Sequence, residues 1–392
     1  MQRLILLVLI SNLSCEQPEE LPASFYDQPI PFADSSQSHP DAIDYQQILD
    51  VNQRKGMVGA TLLVKDSKGL WVGASGFADI ENNVPVQPHH VFFIASISKV
   101  FTAAATYRAI DQGFINSVNE PANPFLNKEI VDEIDNLKEA TLAHLLSHRS
   151  GIRDFYTTQF DLDRINTDQD WTKEEVLEYI YGKSADFSLN SSYSYSNTNF
   201  LLLSMILENV LERSFEKVYQ DLVFNPLGLA SAYYSENQII PPGAVKGYAD
   251  IHNNGTFVES GYLYEDELGI GGDGGVAINA YHLAVFLENL VNESFISSEQ
   301  QQVMTDWFTM PEDFHWHEYG QIQNGYGLEK FDTKFGTAIG HTGGIDGFST
   351  YGFYFPEDDR TYVLLSNSAS LKAGDIHVSI FEEVLEIMFE DK

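Results

Sequence analysis

Strand-like segments at both ends of the chain flank a long helical middle, and this arrangement constrains the fold most strongly. Four segments have the alternating or continuous apolar pattern of strands: residues 57–65, 69–78, 347–355 and 360–368. Helical spacing at 42–53 and at 375–389 predicts a terminal helix beside each pair of strands. We therefore expect an α+β fold, in which one antiparallel sheet is flanked by terminal helices and a mostly helical region is inserted at about 105–235.

Length and charge narrow the class of protein. A chain of 392 residues can bury a large core, so we expect one large domain or two interlocked subdomains. The 22 Lys and Arg residues against 57 Asp and Glu residues give a formal net charge of −35. Binding to nucleic acids and to anionic lipids depends on clustered Lys and Arg, so this charge argues against both kinds of partner.

The first fifteen residues, MQRLILLVLISNLSC, predict an export signal of the lipoprotein type. Arg3 precedes an apolar run, Leu4 to Ile10, that is too short to span a bilayer as a permanent helix. Cys15 is the only cysteine, so disulfides and cysteine metal sites are excluded. Its position resembles the lipid-attachment cysteine of bacterial lipoproteins, although Asn12 stands where that family usually has Leu. We expect export to the periplasm or cell envelope, with membrane contact only through a lipid anchor on Cys15; the alternative is an ordinary cleaved signal.

A polar segment follows this signal. Residues 16–40 are rich in Pro, Ser and acidic side chains and lack apolar periodicity, which predicts a tether. Apolar periodicity begins at Ala42. Residues 41–392 are therefore expected to form the folded domain.

The first chemical motif is Ser96-Ile97-Ser98-Lys99, at the start of a segment with helical spacing that runs to about Gly113. Residues three apart lie on one helix face, so the Ser96 hydroxyl and the Lys99 amine can share a proton. The helix N-terminus adds a partial positive charge that stabilises developing negative charge. Apolar neighbours, including Phe93 and Phe101, should make Lys99 lose its proton more easily than a solvated lysine. Ser96 is a candidate nucleophile and Lys99 a candidate base.

The S-x-x-K pattern is short enough to arise by chance, and it recurs at Ser214 and Lys217. The second match lies at the start of a charged, solvated helical segment, where Ser214 is predicted to be an N-cap. The pattern alone therefore leaves a catalytic role for Ser96 undecided, and its companion motifs carry the argument.

Two further motifs follow along the chain. Tyr195-Ser196-Asn197 joins a Ser-rich loop to a helical segment, and its phenol and amide can both reach a cleft, although such residues also suit a capping loop. A phenolate beside a lysine ammonium can take a serine proton and return it to a leaving group.

The third motif, His341-Thr342-Gly343-Gly344, lies between strand-like segments. Its glycines can let a substrate approach the edge of a strand, and a strand amide can stabilise an oxyanion. Taken alone, the motif also fits a glycine-rich turn.

In this chain order, S-x-x-K, Y-x-N and [KH]-T-G resemble the three active-site motifs of the serine β-lactamase and DD-peptidase superfamily, class C type. The surrounding segments FFIASISKVFTA, LLSHRSG, NPLGL and GGDGGVAI are similar as well. The resemblance covers about residues 42–390 and implies a β-lactamase/transpeptidase-like fold, with 41–392 as the catalytic domain.

The resemblance also implies roles for individual residues. Ser96 would accept the acyl group, with Lys99 and Tyr195 as the general acid and base pair. Asn197 would hold the substrate amide, and the backbone amides of Ser96 and Gly344 would form the oxyanion hole. His341 and Thr342 would orient Tyr195 and a polar group of the substrate, and Gly343 is a further candidate for substrate binding.

Two positions depart from the family pattern. His341 stands where β-lactamases of this type have Lys, which replaces a fixed positive charge by one that titrates near neutrality, so activity is expected to depend on pH. Gly344 stands where many penicillin-processing members have Ser or Thr, whose hydroxyl binds a substrate carboxylate. Without that hydroxyl, recognition of penicillins and of peptides ending in D-Ala should weaken, which favours esters or other small acyl compounds.

The resemblance thus implies an exported serine hydrolase that forms an acyl-enzyme through Ser96 and cleaves an ester, amide or peptide bond of a small substrate. One alternative is a D-alanyl-D-alanine carboxypeptidase or β-lactamase, and another is a non-catalytic penicillin-type receptor. No cofactor or metal is expected, because His315-Trp316-His317 lacks a third ligand. His144 and His148, four residues apart near a predicted helix end, are interpreted as structural.

Overall fold

The computed structural model describes residue 24 and residues 38–166, 171–234, 241–260, 270–292, 294–310 and 322–392. The predicted signal segment with Cys15, nearly all of the predicted tether, and the His315-Trp316-His317 segment lie outside these residues. No helix in the described part of the chain is both long and apolar enough to cross a membrane.

Strands are concentrated near the two ends of the described chain, and helices predominate between them. The helices are α1 (Ala42–Gly56), α2 (Ser98–Asp111), α3 (Lys128–Glu133), α4 (Leu142–Leu146), α5 (Thr158–Asn166), α6 (Lys173–Leu177), α7 (Asn197–Leu211), α8 (Phe215–Tyr219), α9 (Asn225–Leu227), α10 (Ala280–Val291), α11 (Ser298–Met304) and α12 (Leu371–Met388). The strands are β1 (Gly59–Asp66), β2 (Gly69–Asp79), β3 (Val84–Pro85), β4 (Phe92–Phe93), β5 (Tyr248–Ala249), β6 (Val258–Glu259), β7 (Ala277–Ile278), β8 (Phe308–Thr309), β9 (Gln323–Asn324), β10 (Glu329–Thr333), β11 (Gly336–Ile345), β12 (Phe348–Phe355), β13 (Arg360–Ser366) and β14 (Ser368–Ala369).

Nine of these strands form one antiparallel sheet in the order β3-β2-β1-β13-β12-β11-β10-β9-β8. The N-terminal hairpin β1–β2 thus joins the C-terminal strands through the β1–β13 pair, in which Leu62 faces Leu364. Strands from the two ends of the chain build a single sheet, and helices α2 to α11 lie between them in sequence. The predicted α+β fold is confirmed.

The sheet is covered on both faces, and its inner strand β13 is buried along its whole length. Tyr362 and Leu364 belong to a core shared with α1 and α12. Val363 and Leu365 belong to a second core, which includes α2, α7 and α10. All four side chains are fully buried, so the sheet is a rigid base on which the loops at its edge are held.

Several local predictions can be compared with the described elements. Ser214 is the N-cap of α8, where its side chain accepts the backbone N–H of Lys217, as predicted for the second S-x-x-K match. Helix α12 begins at Leu371, four residues before the predicted start, because the Ser370 side chain caps it by accepting the N–H of Ala373. The first motif lies in a one-turn 3₁₀ helix followed by α2.

Candidate active site

Ser96 lies in the 3₁₀ turn Ala95–Ile97, directly before α2. Ala95 has a left-handed backbone conformation with φ of 48°, which is unfavourable for a residue with a Cβ. Ala95 and Ile97 are buried, whereas Ser96 is half-buried and lines a cavity. The strained turn therefore presents the Ser96 hydroxyl to the cavity while its neighbours anchor it to the core.

Lys99 lies one helical turn beyond Ser96 and is 1% exposed. Its Nζ donates to Ser96 Oγ at 3.2 Å and to the backbone oxygen of Asp273 at 2.7 Å. Burial lowers the pKa of Lys99 from 10.5 to about 8, although the charges of Asp273, Asp154 and Glu329 act in the opposite direction. A large share of Lys99 side chains is therefore neutral in mildly alkaline solution, and a neutral amine can accept a proton.

Tyr195 packs over this pair, with Lys99 Nζ 5.0 Å from the centre of its ring. The phenol oxygen is buried and has no well-aligned hydrogen bond within the described parts of the chain. Burial raises the pKa of Tyr195 well above its usual range, although the approach of the Ser96 hydroxyl lowers it. The phenol is therefore neutral and can donate a hydrogen bond.

His148 supports Tyr195 from below. The two rings stack with centroids 4.4 Å apart. His148 Nδ1 accepts the backbone N–H of Ser196 at 3.1 Å, which fixes the loop that carries Tyr195. Burial, and then nearby positive charge, lowers the pKa of His148 well below its usual range, so its ring is neutral. His148 has φ of 54° and lies beyond the end of α4, so its contact with Tyr195 comes from the loop that follows the helix.

Asn197, the first residue of α7, is held by Asp154. Its backbone N–H and its side-chain Nδ2 donate to the two carboxylate oxygens of Asp154, at 3.1 Å and 3.0 Å. Because Nδ2 is used in this way, the side-chain oxygen of Asn197 is the atom left to accept an N–H from a substrate. Burial raises the pKa of Asp154 to about 6, so the carboxylate is mostly ionised at neutral pH.

His341 reaches the site from β11. Its ring centroid is 6.4 Å from that of Tyr195, and its Nε2 lies 3.8 Å from a carboxylate oxygen of Glu329. Both side chains of this pair are largely buried, with exposures of 8% for His341 and 11% for Glu329. When protonated, His341 therefore has its counter-charge built into the neighbouring strand β10.

The two glycines of this motif have different surroundings. A Cβ on Gly343 would lie 2.3 Å from the backbone oxygen of Ile94, so glycine is needed for β11 to approach the loop before Ser96. A Cβ on Gly344 would meet nothing within 4 Å, because this position faces the cavity. Gly343 thus sets the distance between strand and nucleophile, and Gly344 leaves room beside it.

The glycine-rich segment GGDGGVAI crosses the base of the cleft. Thr102 on α2 donates to the backbone oxygen of Gly272 at 2.5 Å, and the hydroxyl of Ser98 accepts the N–H of Val276 at 3.1 Å. These bonds hold the Asp273 carbonyl where Lys99 can donate to it.

A cavity of about 600 Å³ opens over Ser96. Its lining includes the mutually packed rings of Phe155, Tyr156 and Phe160, together with Gly344 and Phe348. The described residues that line the cavity include three carboxylates and no Lys or Arg; the carboxylates belong to Asp161, Asp273 and Asp346. The cavity therefore favours neutral or positively charged groups over negatively charged ones.

The structure brings most of the predicted site residues to one place. Those that line the cavity are Ser96, Tyr195, Asn197 and Gly344. Lys99 and His341 reach this group from beneath, whereas Thr342 and Gly343 are not among the residues that line it.

The prediction did not include His148, Asp154 and Asp273 as site residues. His148 lies in the LLSHRSG segment and Asp273 in the GGDGG segment, so both segments gave a signal. Asp154 follows shortly after LLSHRSG with no motif of its own.

Comparison with known proteins gives a consistent family. The family model described as "Beta-lactamase" matches residues 45–379, which is most of the chain. Penicillin-binding protein 4* of Bacillus subtilis (strain 168) is 26% identical over 329 residues, covering 79% of this chain and 68% of that protein. A D-aminopeptidase of Gluconobacter oxydans (strain 621H) is 29% identical over 197 residues, covering 49% of this chain but only 35% of that protein.

Solved structures agree on the fold. The D-amino acid amidase from Ochrobactrum anthropi SV3 in complex with L-phenylalanine amide has a TM-score of 0.75 at 22% identity, covering 87% of this chain and 97% of that one. The octameric penicillin-binding protein homologue from Pyrococcus abyssi has a TM-score of 0.74 at 24% identity, covering 88% of this chain and 77% of that one. The predicted recognition and the predicted enzyme class, a serine hydrolase, are confirmed at the level of the family. The chain belongs to the β-lactamase family of serine hydrolases and penicillin-binding proteins.

Proposed function

We propose that the protein hydrolyses an amide or peptide bond of a small substrate through an acyl-enzyme on Ser96. The observation that carries this proposal is the contact between a buried, weakly basic amine and the serine hydroxyl, with Lys99 Nζ 3.2 Å from Ser96 Oγ. The names of two relatives, D-aminopeptidase and D-amino acid amidase, support amide chemistry.

The proposed proton transfers use the contacts among Ser96, Lys99 and Tyr195. Neutral Lys99 takes the proton from Ser96 Oγ, which attacks the carbonyl carbon and forms a tetrahedral intermediate. The backbone amides of Ser96 and Gly344 are the proposed donors to its oxyanion. The C–N bond then breaks, and the proton returns to the departing nitrogen through the neutral phenol of Tyr195, which is reprotonated by Lys99. Water hydrolyses the resulting ester and regenerates Ser96.

The electrostatics of the cavity support a substrate without a carboxylate near the reacting bond. Asp273 and Asp346 line the cavity, and Gly344 offers no hydroxyl to bind an anion. Asn197 presents an acceptor oxygen, which suits the N–H of an amide. Amino acid amides, and short peptides with a free or blocked amino group, have no carboxylate near the bond that is cleaved. They therefore fit this cavity better than penicillins or peptides ending in D-Ala.

Burst kinetics test the proposal. The purified protein should release p-nitrophenol from p-nitrophenyl acetate in a burst equal to the enzyme concentration, and Ser96→Ala should abolish that burst. Ser214→Ala, in the second S-x-x-K match, is the matched control and should leave the burst unchanged, because Ser214 caps α8. A burst that persists in Ser96→Ala would overturn the assignment.

The lifetime of the acyl-enzyme distinguishes a hydrolase from a receptor that is acylated only once. After reaction with a slow acyl donor, mass spectrometry should show an adduct on Ser96 that is lost within minutes. A screen over amino acid amides, D-Ala-D-Ala peptides, esters and nitrocefin then gives the substrate class, with amides expected to lead. An adduct that lasts for hours with every donor would support a receptor instead.

We also propose that the protein is exported and lipid-anchored through Cys15, since the first fifteen residues have the pattern of a lipoprotein signal. Cys15→Ser should abolish incorporation of labelled palmitate and release the protein from the membrane fraction. Equal labelling of both forms would rule out attachment at Cys15.

A further inference from the structure

The last position of the HTGG motif, Gly344, has no hydroxyl, but a serine on the neighbouring strand provides one. Ser349 on β12 is paired with Gly344 on β11 in the antiparallel register. Residues directly opposite one another project from the same face of a sheet, with Cβ positions about 4.5–5.5 Å apart. Ser349 and Gly344 both line the cavity over Ser96. The space that a side chain at Gly344 would occupy is therefore open and lies on the same face of the sheet as the Ser349 side chain.

The Ser349 hydroxyl is tied to a buried histidine. Ser349 Oγ lies 2.8 Å from Nδ1 of His377 on α12. His377 is fully buried, and its ring packs edge-on against Tyr351 at 5.5 Å. Burial lowers the pKa of His377 to about 4, so the ring is neutral at physiological pH.

The surroundings of His377 decide which nitrogen carries its single proton. Nε2 is buried and has no hydrogen-bond partner in the part of the chain that the structure describes. A proton on Nε2 would leave a buried donor unpaired, which costs more than leaving a buried acceptor unpaired. The favoured tautomer therefore carries the proton on Nδ1 and donates it to Ser349 Oγ. In that arrangement the Ser349 hydroxyl keeps its own hydrogen free to donate into the cavity.

We propose that Ser349, oriented by His377, is a substrate-binding residue that donates a hydrogen bond to a second carbonyl oxygen of a peptide-type substrate, next to the scissile bond. This inference rests on the proposed function, since it places the substrate in the cavity over Ser96. A neutral donor suits a neutral carbonyl in a cavity lined by carboxylates such as Asp346. His377 acts through Ser349 and is a positioning residue.

Three substrates separate the possible roles of Ser349. The first is an amino acid p-nitroanilide, which has no second carbonyl; the second is its N-acetyl derivative; the third is a dipeptide amide with a carbonyl in the leaving group. Ser349→Ala should lower kcat/KM about three- to tenfold, the usual value of one neutral hydrogen bond, for one of the two extended substrates and leave the simple anilide unchanged. His377→Phe keeps a buried ring but removes the nitrogen, and it should reduce the same selectivity ratio.

Two further variants test whether the loss of kcat/KM comes only from a change in the structure of the protein. Ser379→Ala is the matched control, because Ser379 is on the same helix but bonds Glu383. Adding Gly344→Ser to Ser349→Ala should restore part of the lost selectivity, because a Cβ at Gly344 meets nothing within 4 Å. Thermal unfolding checks that each variant is folded.

The outcomes also separate this inference from the proposed function. An equal loss for all three substrates, or no loss for any of them, would overturn the role of Ser349 while leaving Ser96 as the nucleophile. If the free dipeptide acid, assayed beside the dipeptide amide, shows the loss and the amide does not, the donor binds an anion and the carbonyl proposal is equally overturned. If the burst does not depend on Ser96, the proposed function itself fails, whatever Ser349 does.

Discussion

The basicity of Lys99 can be tested by the pH dependence of acylation. With a pKa of about 8, Lys99 is half neutral at pH 8, so kcat/KM for an ester that does not titrate should rise about fiftyfold from pH 6 to pH 8 and only about twofold from pH 8 to pH 10. A solvated lysine with a pKa of 10.5 would instead give a rise of roughly 75-fold from pH 8 to pH 10. Stopped-flow acylation rates, corrected for spontaneous hydrolysis, distinguish the two curves. A rate that keeps rising steeply above pH 9 would refute the buried-amine base.

Removing a negative charge near Lys99 should shift the midpoint of this pH profile in a defined direction. Asp154 raises the pKa of Lys99, so Asp154→Asn should lower it and move the midpoint of the pH profile to lower pH. Asp161→Asn is the matched control: Asp161 lines the same cavity but pairs with Arg164 at 2.8 Å. A midpoint that stays in place in Asp154→Asn, or one that moves equally in both variants, would show that Lys99 does not set the profile.

Two further predictions concern the framework of the site. Gly343→Ala should lower kcat/KM about a hundredfold, because its Cβ would lie 2.3 Å from the backbone oxygen of Ile94 and displace β11 from the nucleophile. Gly344→Ala should retain most of the activity, because its Cβ would meet nothing within 4 Å. Similar losses of kcat/KM in the two variants would contradict this prediction. His148→Phe should lower the free energy of unfolding by about 1–3 kcal/mol in urea denaturation, because the buried N–H of Ser196 loses its acceptor; an unchanged midpoint and slope would show that this bond contributes nothing.

The fold could be predicted from the sequence because its strands carry strong patterns at both chain ends. The inner strand β13 is buried along its whole length, which agrees with the apolar stretch from Tyr362 to Leu365 at its centre. Boundaries were less predictable where the pattern is weak. The first turn of α12 contains Gly374 and has no apolar stripe, so only the cap at Ser370 marks its beginning.

The site was predictable to the extent that its residues lie in short motifs. Ser96 and Lys99 are neighbours on one helical turn, so their contact follows from spacing alone. The contact of His148 with Tyr195, and that of Ser349 with His377, join segments that are distant in sequence. Such contacts depend on the sheet register and on helix docking, which local periodicity does not encode.

The two departures from the family motifs, His341 and Gly344, both weaken the binding of a negatively charged substrate group. His341 is paired with the buried carboxylate of Glu329, so even its protonated form offers a substrate little uncompensated positive charge. Gly344 provides no hydroxyl that could bind an anion, and Asp346 adds a negative charge to the same cavity. A substrate carboxylate would lose its hydration there without meeting a cation among the described lining residues, which is unfavourable. Discrimination against nitrocefin therefore reports the charge of the cavity, while the Ser96 burst reports the catalytic group, and the two measurements can fail independently.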